Sequence, residues 1–183
     1  EITVTGPTLR FNCATSIALT GATLAAELDG KPVPWWTAVE VAPGSVLKLG
    51  AVSAGGVRAY LAVRGGFDVP AYMGSRATFT LGRFGGHGGR ALRLADVLHI
   101  GSEIAGEAAT TSLAPSAPAY TGEWTLRVVY GPHGAPDFFQ PADIDTLFAT
   151  AWEVHYNSSR TGVRLVGPKP QWSRADGGEA GLH

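Results

Sequence analysis

The chain has 183 residues, 45% of them apolar, with Lys+Arg 14 against Asp+Glu 15 and a formal net charge of −1. That length and apolar content allow one sizeable domain or two small ones around packed cores, while the near-neutral balance offers no basic footprint for a phosphate backbone or an anionic lipid surface, so neither nucleic acid nor membrane is an expected partner. The lone Cys13 has no Cys or His at metal-ligand spacing and no partner for an internal disulfide, and the chain has neither an eighteen-residue apolar run nor a signal-like start; no metal is expected, and a reduced, cytoplasmic setting is.

Gly 25 and Pro 12 fall between short runs rich in Val, Thr, Leu and aromatic residues, the pattern of many short strands joined by tight turns. The expected class is mainly β with few short helices. Candidate strands lie at 2–5, 8–12, 16–20, 25–28, 37–41, 46–49, 58–63, 77–81 and 97–100. Asp29-Gly30 is a two-residue hairpin signal, and Pro32, Pro34 and Pro43 mark strand edges, because proline cannot donate to a ladder. Residues 45–50 and 96–101 share a turn residue, an alternating run and a closing glycine, a weak internal echo that either strand physics or duplication explains. Residues 1–101 read as a first β-rich unit.

Between 102 and 122 the composition shifts to Ala, Ser, Thr, Pro and Gly, which bury too little to offset chain entropy and read as a linker. A second unit, 123–183, opens with a candidate strand at 124–130. A helix follows from Pro141, with proline in its first turn, acids near its start and apolar residues at 144, 147 and 148. Strands at 152–156 and 163–166 come next. The chain opens inside an alternating run and closes on no element, so it reads as a piece of a longer polypeptide.

The glycine-rich stretch from Gly82 to Arg90 fits a loose dinucleotide fingerprint, but no helix follows it, as that motif requires. Two readings remain: a tight loop between strands, or a loop whose N–H groups approach a ligand, with Arg76, Arg83, His87 and Arg90 at hand for a carboxylate. No G-x-S-x-G elbow and no Gly-Lys-Ser/Thr phosphate loop occurs. The second unit has the denser polar cluster, His155-Tyr156-Asn157-Ser158-Ser159-Arg160-Thr161-Gly162, directly before a strand. It suits a binding site or a solvated loop equally.

Two segments carry a family resemblance: Tyr130-Gly131-Pro132-His133-Gly134-Ala135-Pro136-Asp137-Phe138-Phe139, and Val154-His155-Tyr156-Asn157-Ser158-Ser159-Arg160-Thr161-Gly162 with Gly167-Pro168-Lys169-Pro170 and the closing Asp176-Gly177-Gly178-Glu179-Ala180-Gly181-Leu182-His183. Arg58-Ala59-Tyr60-Leu61-Ala62-Val63-Arg64-Gly65-Gly66-Phe67, Gly74-Ser75-Arg76 and Gly85-Gly86-His87 agree with them. Together they resemble the carboxyltransferase of urea carboxylase, in the half shared with the second allophanate-hydrolase-type subunit and the KipA proteins. The resemblance covers essentially the whole chain.

That resemblance implies cyclophilin-like β-barrel domains, one nearly complete and part of a second. It also implies transfer of a carboxyl group from carboxybiotin to urea, or to guanidine, giving allophanate or its analogue. Biotin would ride on a separate carrier domain, since Lys31, Lys48 and Lys169 lack the flanking Met of an attachment site. ATP would be used by a separate biotin carboxylase domain, and a second carboxyltransferase half would complete the enzyme; the 183 residues alone are expected to be inactive. Such chemistry needs positioned donors in a dry pocket. Candidate catalytic residues are Arg160, His155 and Asp176, and candidate substrate-binding residues are Arg76, His87, Gly86, Asn157, Ser159 and Glu179, with Arg76 and Arg160 as carboxylate or ureido anchors and His155 as a proton shuttle. The rival expectation is a KipA-like regulatory or binding protein, or the C component of 5-oxoprolinase.

Overall fold

Two long alternating segments organise the first unit. The structure, a computed structural model, describes residues 1–102, 112–159 and 162–174. In chain order the strands are β1 (Ile2–Thr3), β2 (Thr8–Arg10), β3 (Thr15–Leu28), β4 (Lys31–Pro32), β5 (Val39–Val41) and β6 (Val46–Val63), then helix α1 (Pro141–Ala149), β7 (Glu153–Val154) and β8 (Leu165–Val166). Strands β3 and β6 pair antiparallel from Ile17↔Val63 to Leu28↔Leu47. β1 and β2 run along the far side of β6, and β4 and β5 along the far side of β3, so the described strands of this unit share one antiparallel sheet. The fold is mainly β with one short α-helix, as expected.

The expected strands at 16–20 and 25–28 are one strand, β3, and those at 46–49 and 58–63 are one strand, β6. Their pairing slips three times between Gly21 and Ala26. From Gly21↔Ala59 to Ala26↔Leu49, β3 advances five residues while β6 advances ten (26 − 21 against 59 − 49). Bulges of this kind bend a strand and shift its side-chain parity. Ile17 and Leu19 face the core from odd positions, Leu24 and Ala26 from even ones, yet all four join one cluster with Leu47, Leu49, Val41, Phe11 and Ala59. Ile17, Leu19 and Leu47 are fully buried, each contributing about 1.5–3 kcal/mol of apolar burial.

Gly21 makes the bend possible. Its φ is +87°, and a Cβ there would lie 2.6 Å from the Arg58 carbonyl oxygen across the ladder, a position no L side chain fills without displacing β6. At the other end of β3, Asp29 and Gly30 take φ of 50° and 79° and close the hairpin to β4, as their sequence predicted. The Asp29 carboxylate accepts the Val46 N–H at 2.8 Å, and this bond, with the Ser45 side chain next, holds its carboxyl below the ordinary value. Pro32 sits on the edge strand β4.

Three expected strands are absent. Residues 77–81 and 97–100 form turns and coil, tied only by isolated bridges such as Phe79↔Phe84 and Phe67↔Ile100, and 124–130 forms no ladder. Their alternation is real, but among the described residues none of them pairs into a ladder. Residues 45–50 enter β6 whereas 96–101 do not, so the echo between them reflects shared turn-and-alternation chemistry without shared structure.

Close approach in Cα space divides the chain at Trp124/Thr125 into two compact units. Of the 102–122 stretch, Ser112 bridges Thr37, the Leu113 N–H donates to the Trp36 carbonyl at 2.7 Å, and the Tyr120 ring lies over Gly55, all within the first unit. In the second unit α1 spans Pro141–Ala149 with proline at its start and Asp143 in its first turn, and β7 and β8 pair as Glu153↔Val166 and Val154↔Leu165. None of the described residues of this unit is buried.

Candidate functional site

The candidate residues fall on both units, and each group has its own construction. In the first unit, residues 67–100 leave the sheet as an excursion closed at its base: the Asp68 N–H donates to the His99 carbonyl at 2.8 Å and the Gly101 N–H to the Gly66 carbonyl at 3.0 Å. Within it the glycine loop folds back on 77–79. Gly86 has φ of +50°, and a Cβ on it would collide with Thr78 Oγ1. Gly86 is therefore required by close packing, which favours the structural reading of this glycine.

An aspartate that sequence reasoning did not single out fastens the loop. Asp96 accepts two charge-assisted bonds from Arg90, Nη1 to Oδ2 at 2.7 Å and Nη2 to Oδ1 at 2.8 Å, and a third from the Arg93 N–H at 2.7 Å. His87 Nε2 stands 3.7 Å from Asp96 Oδ1. The Arg90 guanidinium, then the Arg93 N–H, holds the Asp96 carboxyl well below the usual carboxylate range, and the same pairing raises Arg90. Arg90, expected as one of four cations open to a ligand carboxylate, is instead committed to Asp96, because a bidentate fork satisfies both groups. Arg76 is exposed, and its guanidinium makes no ion pair among the described residues. The sequence signal was a glycine run bounded by an arginine and, six residues on, an aspartate.

In the second unit, Trp152 and Gly167 bracket the β7–β8 hairpin: a Cβ on Gly167 would collide with the Trp152 ring, whose Nε1–H donates to the Leu147 carbonyl near the end of α1 at 2.8 Å. The polar cluster forms the connection between these strands, built around Ser158. Its hydroxyl donates to the His155 carbonyl at 2.7 Å and accepts the Arg164 N–H at 3.1 Å. The His155 N–H donates to the Arg164 carbonyl at 2.9 Å, and the Ser159 N–H to the Gly162 carbonyl at 3.0 Å. The Asn157 N–H donates to His155 Nδ1 at 3.0 Å, and the His155 and Tyr156 rings lie 4.2 Å apart.

Beside this framework lies a shallow cleft, wide open to solvent and lined, among the described residues, by Asn157, Ser159, Gly162, Val163 and Arg164. An amide, a hydroxyl and a guanidinium offer both donors and acceptors there, a set that matches a small polar molecule with N–H and C=O groups. His155, Asn157 and Ser159 thus share one loop. Arg160, Asp176 and Glu179 lie outside the described residues.

A second motif of this unit is also built locally. The Tyr130 hydroxyl accepts the Ala135 N–H at 2.5 Å and donates to the Ala135 carbonyl at 3.2 Å, while His133 packs on Phe138 at 4.5 Å between ring centroids. The Arg174 guanidinium covers the same Phe138 ring at 5.1 Å. Asp143 ties this region to α1, accepting the Gln140 N–H at 3.0 Å with one oxygen and the Gln171 N–H at 2.8 Å with the other. No described helix is long and apolar enough to cross a membrane.

Comparison with known proteins identifies the family of the chain. The family model for the carboxyltransferase domain, subdomain A and B, matches residues 1–183. The chain is 50% identical over 190 residues to urea amidolyase of Saccharomyces cerevisiae, covering 100% of this chain and 10% of that protein. It superposes on the crystal structure of Kluyveromyces lactis urea carboxylase with a TM-score of 0.84 at 42% identity, covering 94% of this chain and 16% of that one. It is 33% identical to the C component of Escherichia coli 5-oxoprolinase over 91% of this chain and 52% of that protein. The chain thus spans about a tenth of the yeast relative's length.

Proposed function

The chain belongs to the carboxyltransferase domain family, subdomains A and B, and from that premise we propose that it is part of the carboxyltransferase of a cytoplasmic, biotin-dependent urea carboxylase, placing a carboxyl group on urea or a close analogue such as guanidine. The observation that carries this reading is the 50% identity to a urea amidolyase along the whole chain. The carrier domain, the ATP-using biotin carboxylase and the second carboxyltransferase half are other parts of the same longer protein. Within the chain, residues 1–101 form one barrel-type unit, 102–122 connect, and 123–183 begin a second.

Biotin, when bound, supplies a carboxyl group carried on a ureido nitrogen. The donor set of the cleft suits both that ring and a small amide: Asn157 can pair with a C=O and an N–H together, Ser159 adds a hydroxyl, and Arg164 adds a guanidinium for developing negative charge. Ser158 is not a nucleophile in this scheme, because its hydroxyl is engaged on both sides in holding the loop. Arg160 anchors a carboxylate or ureido oxygen through its fork. Asp176 and Glu179 accept N–H bonds from the amide, and Arg76 and His87 are the binding residues of the first unit, at and beside its glycine loop.

The test uses the full-length protein with ATP and bicarbonate and compares urea, guanidine and 5-oxoproline as acceptors. Urea- or guanidine-dependent turnover is expected. Arg160→Ala should lower carboxyl transfer by about a hundredfold while biotin-dependent ATP hydrolysis stays within about twofold. Equal loss of both partial reactions with the fold intact removes the role given to Arg160. Turnover of 5-oxoproline alone would favour the second reading, a 5-oxoprolinase-type component, which the similarity to the Escherichia coli protein supports.

A further inference from the structure

We infer that His155 acts as a fixed N–H donor to a carbonyl-type oxygen of the small amide substrate, and not as a proton shuttle; this deepens the reading above and rests on it. Three bonds hold the residue. Its backbone N–H reaches the Arg164 carbonyl at 2.9 Å, its own carbonyl accepts the Ser158 hydroxyl at 2.7 Å, and its Nδ1 accepts the Asn157 N–H at 3.0 Å.

The last of these decides the chemistry. A backbone amide can only donate, so the nitrogen facing it must present a lone pair, and the single proton of a neutral imidazole then resides on the other nitrogen. His155 therefore carries its proton on Nε2. Nε2 makes no hydrogen bond or ion pair among the described residues, and the residue is half-buried. A shuttle must release and regain a proton at one atom while its ring keeps a productive pose. Here the lone pair that would accept a proton is occupied by the loop's own backbone, whereas the ring that carries the N–H is already held, as a preorganised donor to developing negative charge on oxygen requires.

His155 does not itself line the cleft among the described residues; it stands two and four positions before Asn157 and Ser159, which do and whose placement the same loop sets. An acceptor oxygen held by His155 Nε2–H and an amide N–H held by the Asn157 side-chain oxygen would fix a urea-like molecule at both ends of its dipole. Substrates lacking a C=O, guanidine among them, would lose the His155 bond. The loop therefore favours urea.

Two measurements on the full-length protein test this. Magic-angle-spinning NMR of protein carrying 15N-histidine, with the His155→Gln spectrum subtracted to isolate the signal, should place the proton on Nε2 and leave Nδ1 unprotonated at neutral pH; a protonated Nδ1 overturns the inference whatever the substrate proves to be. In urea-dependent turnover, His155→Gln, whose amide N–H reaches about where Nε2–H lies, should retain kcat/KM within about threefold with an unshifted pH profile. His155→Ala should lose about tenfold to a hundredfold. Gln as damaging as Ala, or Ala without effect, overturns the donor role. A wild-type protein inactive on urea, with the Nε2–H signal present, instead overturns the proposed function and with it the identity of the oxygen, while the fixed tautomer stands.

Discussion

Arg90 grips both carboxylate oxygens of Asp96, Nη1 to Oδ2 at 2.7 Å and Nη2 to Oδ1 at 2.8 Å, closing a six-residue span at the foot of the glycine loop. Only 14% of the Asp96 side chain is exposed, and the Arg93 N–H completes its coordination. The pair does for this loop what a strand ladder does elsewhere: it fixes a segment that has too few backbone partners of its own.

Removing the carboxylate should free the loop without unfolding the sheet. In Asp96→Ala, amide exchange at Arg93 and Gly89 is expected to accelerate about tenfold while Leu19 and Leu47 stay protected. The pH dependence has a definite sign. Because folding lowers the Asp96 pKa, the clasp's contribution is fully present above the unfolded carboxylate range near pH 4 and is lost as pH falls through the lower folded value. Protection at Arg93 that declines between pH 8 and 5 would contradict this.

Gly21 and Gly30 both adopt positive φ, but only Gly21 faces a backbone oxygen, that of Arg58; a Cβ at Gly30 meets nothing within 4 Å. Gly30→Ala should therefore cost about 1 kcal/mol, the conformational penalty alone, and Gly21→Ala about 3 kcal/mol or more, since β6 must also move. Denaturant unfolding of the two variants side by side gives the comparison, and equal costs would mean that the bend at Gly21 relaxes freely.

Asp143 serves two amide donors at once, those of Gln140 and Gln171. Asp143→Ala should destabilise α1 by about 1 kcal/mol through the lost cap and speed exchange at the Gln171 N–H at the same time. Loss of protection at Gln140 with none at Gln171 would break that coupling.

Ser158 supports His155 without touching substrate in the proposed scheme. In the full-length protein Ser158→Ala should lower kcat/KM for urea about threefold to tenfold and raise exchange at the Arg164 N–H, because its acceptor is gone. Unchanged exchange at Arg164 would show that the loop holds without the hydroxyl.

How far the sequence could be read depended on whether the governing contact was local. The Asp29-Gly30 turn and the helix from Pro141 were legible, since their signals lie within a few residues. The merging of four short runs into β3 and β6 was not: the slips between Gly21 and Ala26 depend on the length of the partner strand, which no window along β3 contains. Residues 77–81 and 97–100 alternate like strands but join no ladder among the described residues, and pairing is a tertiary property. At the candidate site, the clustering of His155, Asn157 and Ser159 was visible as a run of polar residues. The tautomer of His155 and the Arg90–Asp96 clasp were not, because the first rests on the direction of one hydrogen bond and the second on a loop path that brings the two side chains face to face.

The uneven distribution of burial also governs how the chain should melt. All of the fully buried apolar side chains among the described residues come from residues 2–59, so the hydrocarbon that denaturation newly wets is concentrated in that region. The denaturant slope and the heat-capacity increment both scale with freshly exposed area. Either quantity, measured on this polypeptide, would therefore gauge the sheet of the first unit and be nearly blind to the His155 loop.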